Sequence, residues 1–496
     1  MIKIFIFSWI FFVSINSIPS YGEVAQVDRF YLDGQFSRVV EYFEKKEYLK
    51  LSQPEKLLFI ESLARTSRGL QALDRLKPLL EEQSPDSAVL ATAAAVYLSL
   101  GKLDRAQTEV DRALTLQPGN NKAILTRVLL LLYRQQFSEA KQQYEKLAGQ
   151  DREWSDSELL FLVGLDVYRA SRDPRGLSEL YKTHAQRVKK TNKRYYEILK
   201  ANARMYKHAG QNRLFQVETG AGRVVVSFAA AENAPRLNTI PLTLKGKTFK
   251  VLLDTGNATG LLVHSRELNE LLKPKTGGRT VTGIGTESGM LDGYRQYYPT
   301  VDFNAFKILH VNGIYVPRPH PDFPDANLNP AWLRNRVVTM DFVKNQLVLQ
   351  GKEQFAKELS LYPEERYTSL PWYGYKFPYI PVKVKDKQGL AVIETGAEDI
   401  ALKLDFAEGL GLQLIPQSKY LANGQVFKYY HAAVTLSVGS FLFQRREAEV
   451  WPLDRFFNHL SGLAPEVVLG PAALLRGRFE ISFDPFANQV IFLTPE

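Results

Sequence analysis

Two turns, 140 residues apart, constrain this chain more than any other feature: Asp254-Thr255-Gly256 and Glu394-Thr395-Gly396. Each follows an apolar run, Val251 to Leu253 in the first and Leu390 to Ile393 in the second. A further apolar run comes directly after each turn, Leu261 to Val263 and Ile400 to Leu402. Nine positions beyond Gly256 stands Ser265, a helix-capping residue with Leu268, Leu271 and Leu272 at helical spacing behind it, and nine positions beyond Gly396 stands Asp405. The tripeptide alone is weak evidence, since Asp-Thr-Gly is expected by chance in roughly one chain in ten of this size. The strand–turn–strand–helix context gives it weight. A third occurrence, Glu218-Thr219-Gly220, has no apolar strand before it and no helix signal behind it, and is read as a decoy.

The two contexts belong to a longer duplication. Tyr297-Tyr298 is answered by Tyr429-Tyr430, Val316-Pro317 by Trp451-Pro452, and the segment Leu328 to Arg334 by Leu469 to Arg476. The exits match too: Val338 to Phe342 and Asn345 to Leu349 correspond to Ile481 to Pro485 and Asn488 to Phe492. Order and approximate spacing are kept throughout, which marks an internal repeat and predicts two similar β-rich lobes.

On these residues each half resembles one lobe of a retropepsin-like aspartic protease. In that family a hydrophobic strand ends in Asp-Thr/Ser-Gly, a glycine-containing hairpin flap follows, and a hydrophobic-hydrophobic-Gly segment comes late. The resemblance runs from residue 214 to the C-terminus. Gly283, Gly285, Gly289 and Gly293 mark the candidate flap of lobe 1, and Asn423-Gly424 its counterpart in lobe 2. The second lobe departs from the pattern at its acid, Glu394, and keeps the late motif as Val467-Val468-Leu469-Gly470. The first keeps Asp254 and has Asn329 where the late glycine belongs.

The resemblance implies that Asp254 and Glu394 face one another as a catalytic pair. Two adjacent carboxyl groups cannot both ionise easily, so one holds a proton while the other activates a shared water. Such chemistry uses no metal and no cofactor. Thr255 and Thr395 would brace the two turns across the lobe interface, and Gly256 and Gly396 would allow the tight backbone. The substrate implied is a peptide or protein. The extra methylene of Glu394 leaves an alternative open: a catalytically degenerate relative that binds extended peptides or acts as a scaffold. Pairing of Asp254 with its copy in a second chain is the other arrangement.

The N-terminal part reads differently. Lys3, the apolar run Ile4 to Val13 and Ser20-Tyr-Gly22 form a secretory signal over residues 1–22. No later stretch has the length of a membrane span, so the mature chain is expected to have no transmembrane segment. The absence of cysteine excludes disulfides, thiolate chemistry and a lipid-modified N-terminal cysteine. A bacterial periplasmic or secreted protein fits these features. Residues 23–213 carry helical periodicity with a 34-residue register, clearest at 87–120, where Tyr97, Gly101, Ala106, Ala113 and Pro118 resemble a tetratricopeptide repeat. Four to five helical hairpins are expected, as a docking surface for a protein partner or as a spacer. The remaining boundaries are lobe 1 at 214–352 and lobe 2 at 353–496, with a charged linker near 351–370. The net charge of +10 is read as spread over the chain, densest at Arg187 to Arg194, with no nucleic acid partner. The fold class is therefore multidomain α + β, an all-α repeat stack followed by two acid-protease-like lobes.

Overall fold

The computed structural model describes residues 23–496 apart from 82–84, 151, 211, 221, 232–233, 287–288, 318–323, 398, 421–425, 454–459, 461, 477–478 and 495–496. The expected signal segment and the expected Asn423-Gly424 turn lie outside the described residues.

Five helical hairpins come first. They pair α1 (Glu23–Leu32) with α2 (Phe36–Glu44), α3 (Gln53–Arg65) with α4 (Gly69–Leu80), and α5 (Ser87–Ser99) with α6 (Leu103–Leu116). Next come α7 (Asn121–Tyr133) with α8 (Phe137–Gln150), a one-turn α9 (Arg152–Ser155), and α10 (Glu158–Ala170) with α11 (Pro174–Val188). A last helix, α12 (Lys193–Ala209), has no second helix of its own before the chain enters the first strand. Side-chain caps from Asp86, Asn120, Ser157, Asp173 and Asn192 start α5, α7, α10, α11 and α12.

Each hairpin turns through a left-handed residue: Gly34, Ser67, Gly101, Gln135 and Arg172, with φ between 54° and 69°. These lie 33, 34, 34 and 37 residues apart, so the register read in the sequence is a register of left-handed turns. Helix α5 carries no charged residue, and α7 only Lys122 and Arg127. They are buried on nearly every side, as such helices must be. Among the described residues no helix is long and apolar enough to cross a membrane.

The first lobe contributes β1 (Gln216–Thr219), β2 (Arg223–Ser227), β3 (Ala229–Ala231), β4 (Ala234–Leu244), β5 (Lys247–Leu253) and β6 (Leu261–Val263). After helix α13 (Arg266–Leu271) follow β7 (Lys275–Thr286), β8 (Gly289–Asp302), β9 (Phe306–Tyr315), β10 (Ala326–Leu328), β11 (Val337–Asp341) and β12 (Gln346–Gln350). The segment expected as a linker holds a helix, α14 (Lys352–Leu359), whose Phe355 packs against Val337 and Ile491.

The second lobe repeats the series with β13 (Tyr367–Pro371), β14 (Tyr379–Val384), β15 (Lys387–Ile393), β16 (Ile400–Lys403) and helix α15 (Leu404–Gly409). It continues through β17 (Ile415–Tyr420), β18 (Val426–Val438), β19 (Phe441–Trp451), β20 (Val467–Leu469), helix α16 (Pro471–Arg476), β21 (Glu480–Asp484) and β22 (Gln489–Leu493).

The main sheets of the two lobes share one strand order. It is β4-β5-β10-β6-β9-β8-β7 in lobe 1 and β14-β15-β20-β16-β19-β18-β17 in lobe 2. A third sheet, β13-β22-β21-β11-β12-β2, takes three strands from each lobe and is symmetric about its centre. There Thr339 lies opposite Ser482, their hydroxyls 2.7 Å apart. The matched exits of the sequence repeat are the four central strands of this sheet, so the duplicated segments weld the lobes together.

The helical stack does not stand apart. The turn edge of successive hairpins lies along the lobes. Arg65 donates to the Leu460 carbonyl (2.7 Å), and Gly101 lies against Leu390 and Leu463. Gln135 donates to the Trp372 carbonyl (2.7 Å), the Tyr133 carbonyl accepts from the Gly374 N–H (2.7 Å), and Arg172 donates to the Trp332 carbonyl (2.8 Å). Asp166 and Lys376, both largely buried, form an ion pair at 2.8 Å. Strand alternation divides the work within lobe 2. Ala391, Ile393, Leu402 and Leu469 face the core shared by the lobes, whereas Val392, Ala401 and Val468 join one continuous apolar cluster with residues of α1 to α10.

Candidate active site

Both acids are delivered by the same construction. β5 runs parallel to β10, and the Asp254 N–H donates to the Leu328 carbonyl (2.9 Å); β15 runs parallel to β20, and the Glu394 N–H donates to the Leu469 carbonyl (3.0 Å). The apolar strands are anchored on both faces by buried side chains, so the turns at their ends have little freedom.

The threonines lock the turns to one another. The Thr255 N–H donates to Thr395 Oγ1 (3.0 Å), and the Thr255 hydroxyl donates to the Ile393 carbonyl (2.6 Å). Reciprocally, the Thr395 N–H donates to Thr255 Oγ1 (2.9 Å), and the Thr395 hydroxyl donates to the Leu253 carbonyl (2.7 Å). All four bonds are buried and cross the lobe interface. The glycines supply the close approach. A Cβ on Gly256 would overlap the Glu394 carboxyl, and one on Gly396 would lie 2.8 Å from Asp254 Oδ1.

The bracing brings Asp254 and Glu394 into hydrogen-bonding contact within one chain. Their surroundings differ. Asp254 Oδ1 accepts from the Gly256 N–H (3.0 Å), and Oδ2 accepts from Asn327 Nδ2 (2.8 Å). Glu394 Oε1 accepts from the Gly396 N–H (2.8 Å), while Oε2, which lies against the Gly256 backbone, has no well-formed hydrogen bond among the described residues. A proton shared with Asp254 would satisfy that orphaned oxygen. Burial pushes the Asp254 carboxyl up to about 6, against the lowering effect of its bonds to Glu394, Asn327 and Gly256. Burial, and then the Asp254 charge, push Glu394 well above the ordinary carboxyl range. The arrangement thus favours an ionised Asp254 beside a protonated Glu394, a base and an acid in contact.

Two asparagines of the site carried no such role in the sequence reading. Asn327 is a polar residue in the middle of a three-residue apolar strand, and that is the signal by which it can be found. Asn329, read as a missing glycine, is a brace: its Nδ2 donates to the carbonyls of Thr255 (3.0 Å), Asn257 (3.0 Å) and Lys376 (3.3 Å), and its Oδ1 accepts from the Ala331 N–H (2.9 Å). The last of the three carbonyls belongs to lobe 2, so this bond also spans the lobes.

Glu218, read as part of a decoy turn, and other residues near the repeat motifs lie outside the site. Glu218 is exposed on β1, which pairs with β9. His264 is buried, with its backbone N–H bonded to the Asp325 carbonyl (2.8 Å). The tyrosine pair of lobe 1 packs inward. Tyr297 OH meets His310 Nδ1 (2.7 Å), and Tyr298 OH donates to Asn269 Oδ1 (2.9 Å). The acids themselves are closed off, Asp254 at 0% and Glu394 at 1% exposure.

Comparison with known proteins agrees with this geometry in lobe 2. Residues 380–471 match the family model described as aspartyl protease, a span that includes Glu394-Thr395-Gly396 and Val467 to Gly470. Among solved structures the chain is similar to a retropepsin-like aspartic protease from Rickettsia conorii, with 22% identity over 26% of this chain and 90% of that chain and a TM-score of 0.19. No curated protein matches the chain. The matched segment relates lobe 2 to aspartyl proteases, and the shared strand order relates lobe 1 to lobe 2.

Proposed function

We propose that this chain is an exported aspartic-type peptidase that hydrolyses peptide bonds with a water activated between Asp254 and Glu394. The helical stack docks a protein partner or the substrate. The observation that carries the reading is the contact of two inequivalent carboxyls, one bonded by donors and one with an oxygen lacking a well-formed hydrogen bond. Asp254 takes a proton from the water as its oxygen attacks the peptide carbonyl carbon, and Glu394 gives its proton to the carbonyl oxygen. The resulting diol collapses when Asp254 passes its proton to the nitrogen, Glu394 takes one from a diol hydroxyl, and the C–N bond breaks to leave a carboxylic acid and an amine, with the pair back in its starting state.

A second reading is favoured by one observation, the burial of both acids: a catalytically degenerate relative that binds extended peptides. Incubation of the purified protein with a mixed peptide library from acidic to neutral pH separates the two. Hydrolysis abolished by Asp254→Asn and by Glu394→Gln, and retained in Glu394→Asp, supports the peptidase. Binding without cleavage in every variant supports the relative. Activity that survives Glu394→Gln and rises with the square of concentration moves the site to a two-chain arrangement. Export is tested by the mass of the native N-terminus, expected to begin at Glu23. Docking is tested by photo-crosslinking from the full chain in cells, and crosslinks confined to the lobes would remove the role of the stack.

A further inference from the structure

The positive charge of this chain is concentrated rather than spread. Residues 174–209, which form α11, α12 and the turn between them, hold ten lysines and arginines and two glutamates, +8 of the chain's net +10. All ten cations are exposed. Between α11 and α12 runs a groove of about 440 Å³. Its walls are Arg175 and Lys182 on α11 and Lys200, Arg204 and Lys207 on α12, with Glu179 as the single acid. Its floor is small and apolar at Ala185 and Ala203, both buried, with the half-buried Tyr196 beside them. Among the described residues no carboxylate pairs with Arg175, Lys200, Arg204 or Lys207, and Lys182 meets only Glu179 at 3.4 Å.

The repeat architecture explains why the groove is open. Every earlier first helix has a second helix packed on it: α3 has α4, α5 has α6, α7 has α8 and α10 has α11. Helix α12 begins a sixth pair, and the chain then leaves into β1. A terminal repeat normally needs a polar cap on this flank, and here the flank carries cations of one sign. The groove lining recurs at Arg175, Ser178, Lys182 and Ala185, and at Tyr196, Lys200, Ala203 and Lys207. That is the three-and-four spacing which fits another helix, over a length of roughly 16 Å or three turns.

We propose that the α11–α12 groove binds an acidic amphipathic helix of a partner protein, which takes the place of the missing second helix of the sixth pair. Glutamates or aspartates on both flanks of that helix meet the basic walls, and a narrow stripe of small apolar residues lies on Ala185 and Ala203. The proposal rests on the docking role of the stack and gives it a location and a chemistry. An anionic membrane is the lesser fit: none of the large hydrophobic residues exposed on the molecule falls within 174–209, so nothing there would enter the acyl layer. The opposite face of α12 packs on β7 and β8, the flap hairpin of lobe 1, and Asn312 of the neighbouring β9 donates to Tyr206 OH (3.3 Å). A partner held in the groove therefore sits one helix away from the hairpin beside the cleft.

The test uses the full chain and a labelled synthetic helix of about four turns, with glutamates flanking an Ala/Leu stripe, read by fluorescence anisotropy. Binding is expected to weaken with salt, and to weaken roughly tenfold in Lys200→Glu/Arg204→Glu and in Arg175→Glu/Lys182→Glu. Circular dichroism and the melting temperature should stay as in the wild type, because these side chains are exposed. Lys189→Glu/Lys190→Glu, outside the groove, should change affinity less than about twofold. The proposal is overturned by equal losses in the groove and turn variants, by equal binding of a same-composition peptide with its glutamates placed all round, or by no binding at all. Tight binding to phosphatidylglycerol vesicles without peptide binding overturns it in favour of a membrane. In these cases the crosslinking result still decides separately whether the stack docks a partner elsewhere.

Discussion

The bracing of the two turns has a measurable cost when it is broken. Thr255→Val keeps the shape of the side chain and removes one hydroxyl. That hydroxyl donates to the Ile393 carbonyl at 2.6 Å and accepts from the Thr395 N–H at 2.9 Å, both buried. Valine leaves one acceptor and one donor without partners. Each buried orphan costs about 1–3 kcal/mol, so the substitution should destabilise by about 2–6 kcal/mol. Thr395→Val strands the Leu253 carbonyl and the Thr255 N–H in the same way. The near-symmetry of the four distances predicts equal costs within about 1 kcal/mol.

Urea unfolding followed by tryptophan fluorescence reads the lobes, which contain Trp332, Trp372 and Trp451. Thr255→Ser, which keeps the hydroxyl, should recover most of the loss. The reasoning fails if either valine variant unfolds within about 0.5 kcal/mol of the wild type, or if serine restores nothing.

Four further outcomes follow from the same coordinates. Asn329→Gly, which installs the residue common in the related proteases, removes four hydrogen bonds and should destabilise the lobes by about 2–4 kcal/mol in the same urea experiment; a stabilised variant would refute the bracing role. Gly256→Ala forces a methyl into the Glu394 carboxyl and should lower peptide hydrolysis by at least about a hundredfold, with the helical signal unchanged. Lys376→Met leaves Asp166 buried without its cation and should cost about 3–5 kcal/mol, seen as a lower melting temperature. Both acids have folded pKa values raised by burial, so the folded chain binds more protons than the unfolded one above the ordinary carboxyl range near 4. Stability should therefore fall as pH rises from about 4 through about 6 and beyond, and urea midpoints of Glu394→Gln should show a shallower fall than the wild type.

Much of this was legible because short apolar runs, acid-Thr-Gly turns and a capping serine are local signals. Val251 to Leu253 and Leu390 to Ile393 are strands in the structure, Ser265 caps α13, and the matched exits form the shared sheet. What escaped depends on distance in sequence. Asn329 acts through three carbonyls, one of them 47 residues away, and no local pattern distinguishes such a brace from a damaged motif. The docking of the stack rests on contacts such as Arg65 with Leu460, 395 residues apart. The charge concentration was countable in the sequence, but its meaning depends on α12 ending the stack without a partner helix.

The two lobes depart from their own symmetry at two places that belong together. β10 and β20 hold equivalent registers against β5 and β15, which sets Asn327 and Val468 in corresponding positions. Beside Asp254 that position supplies an amide donor at 2.8 Å, which stabilises a carboxylate. In lobe 2 the same position is a valine, which offers Glu394 no donor and joins the apolar cluster beneath the helices. A buried carboxyl with fewer donors holds its proton more strongly than one with an added side-chain donor. One lobe is thus furnished for the ionised acid and the other for the neutral one, so the proton has a preferred side before any substrate arrives. A symmetric pair must choose that side through its ligand or solvent. Here the choice is written into a strand residue, and an exchange at either strand, Asn327→Val or Val468→Asn, acts on the proton's location rather than on the scaffold that brings the acids together.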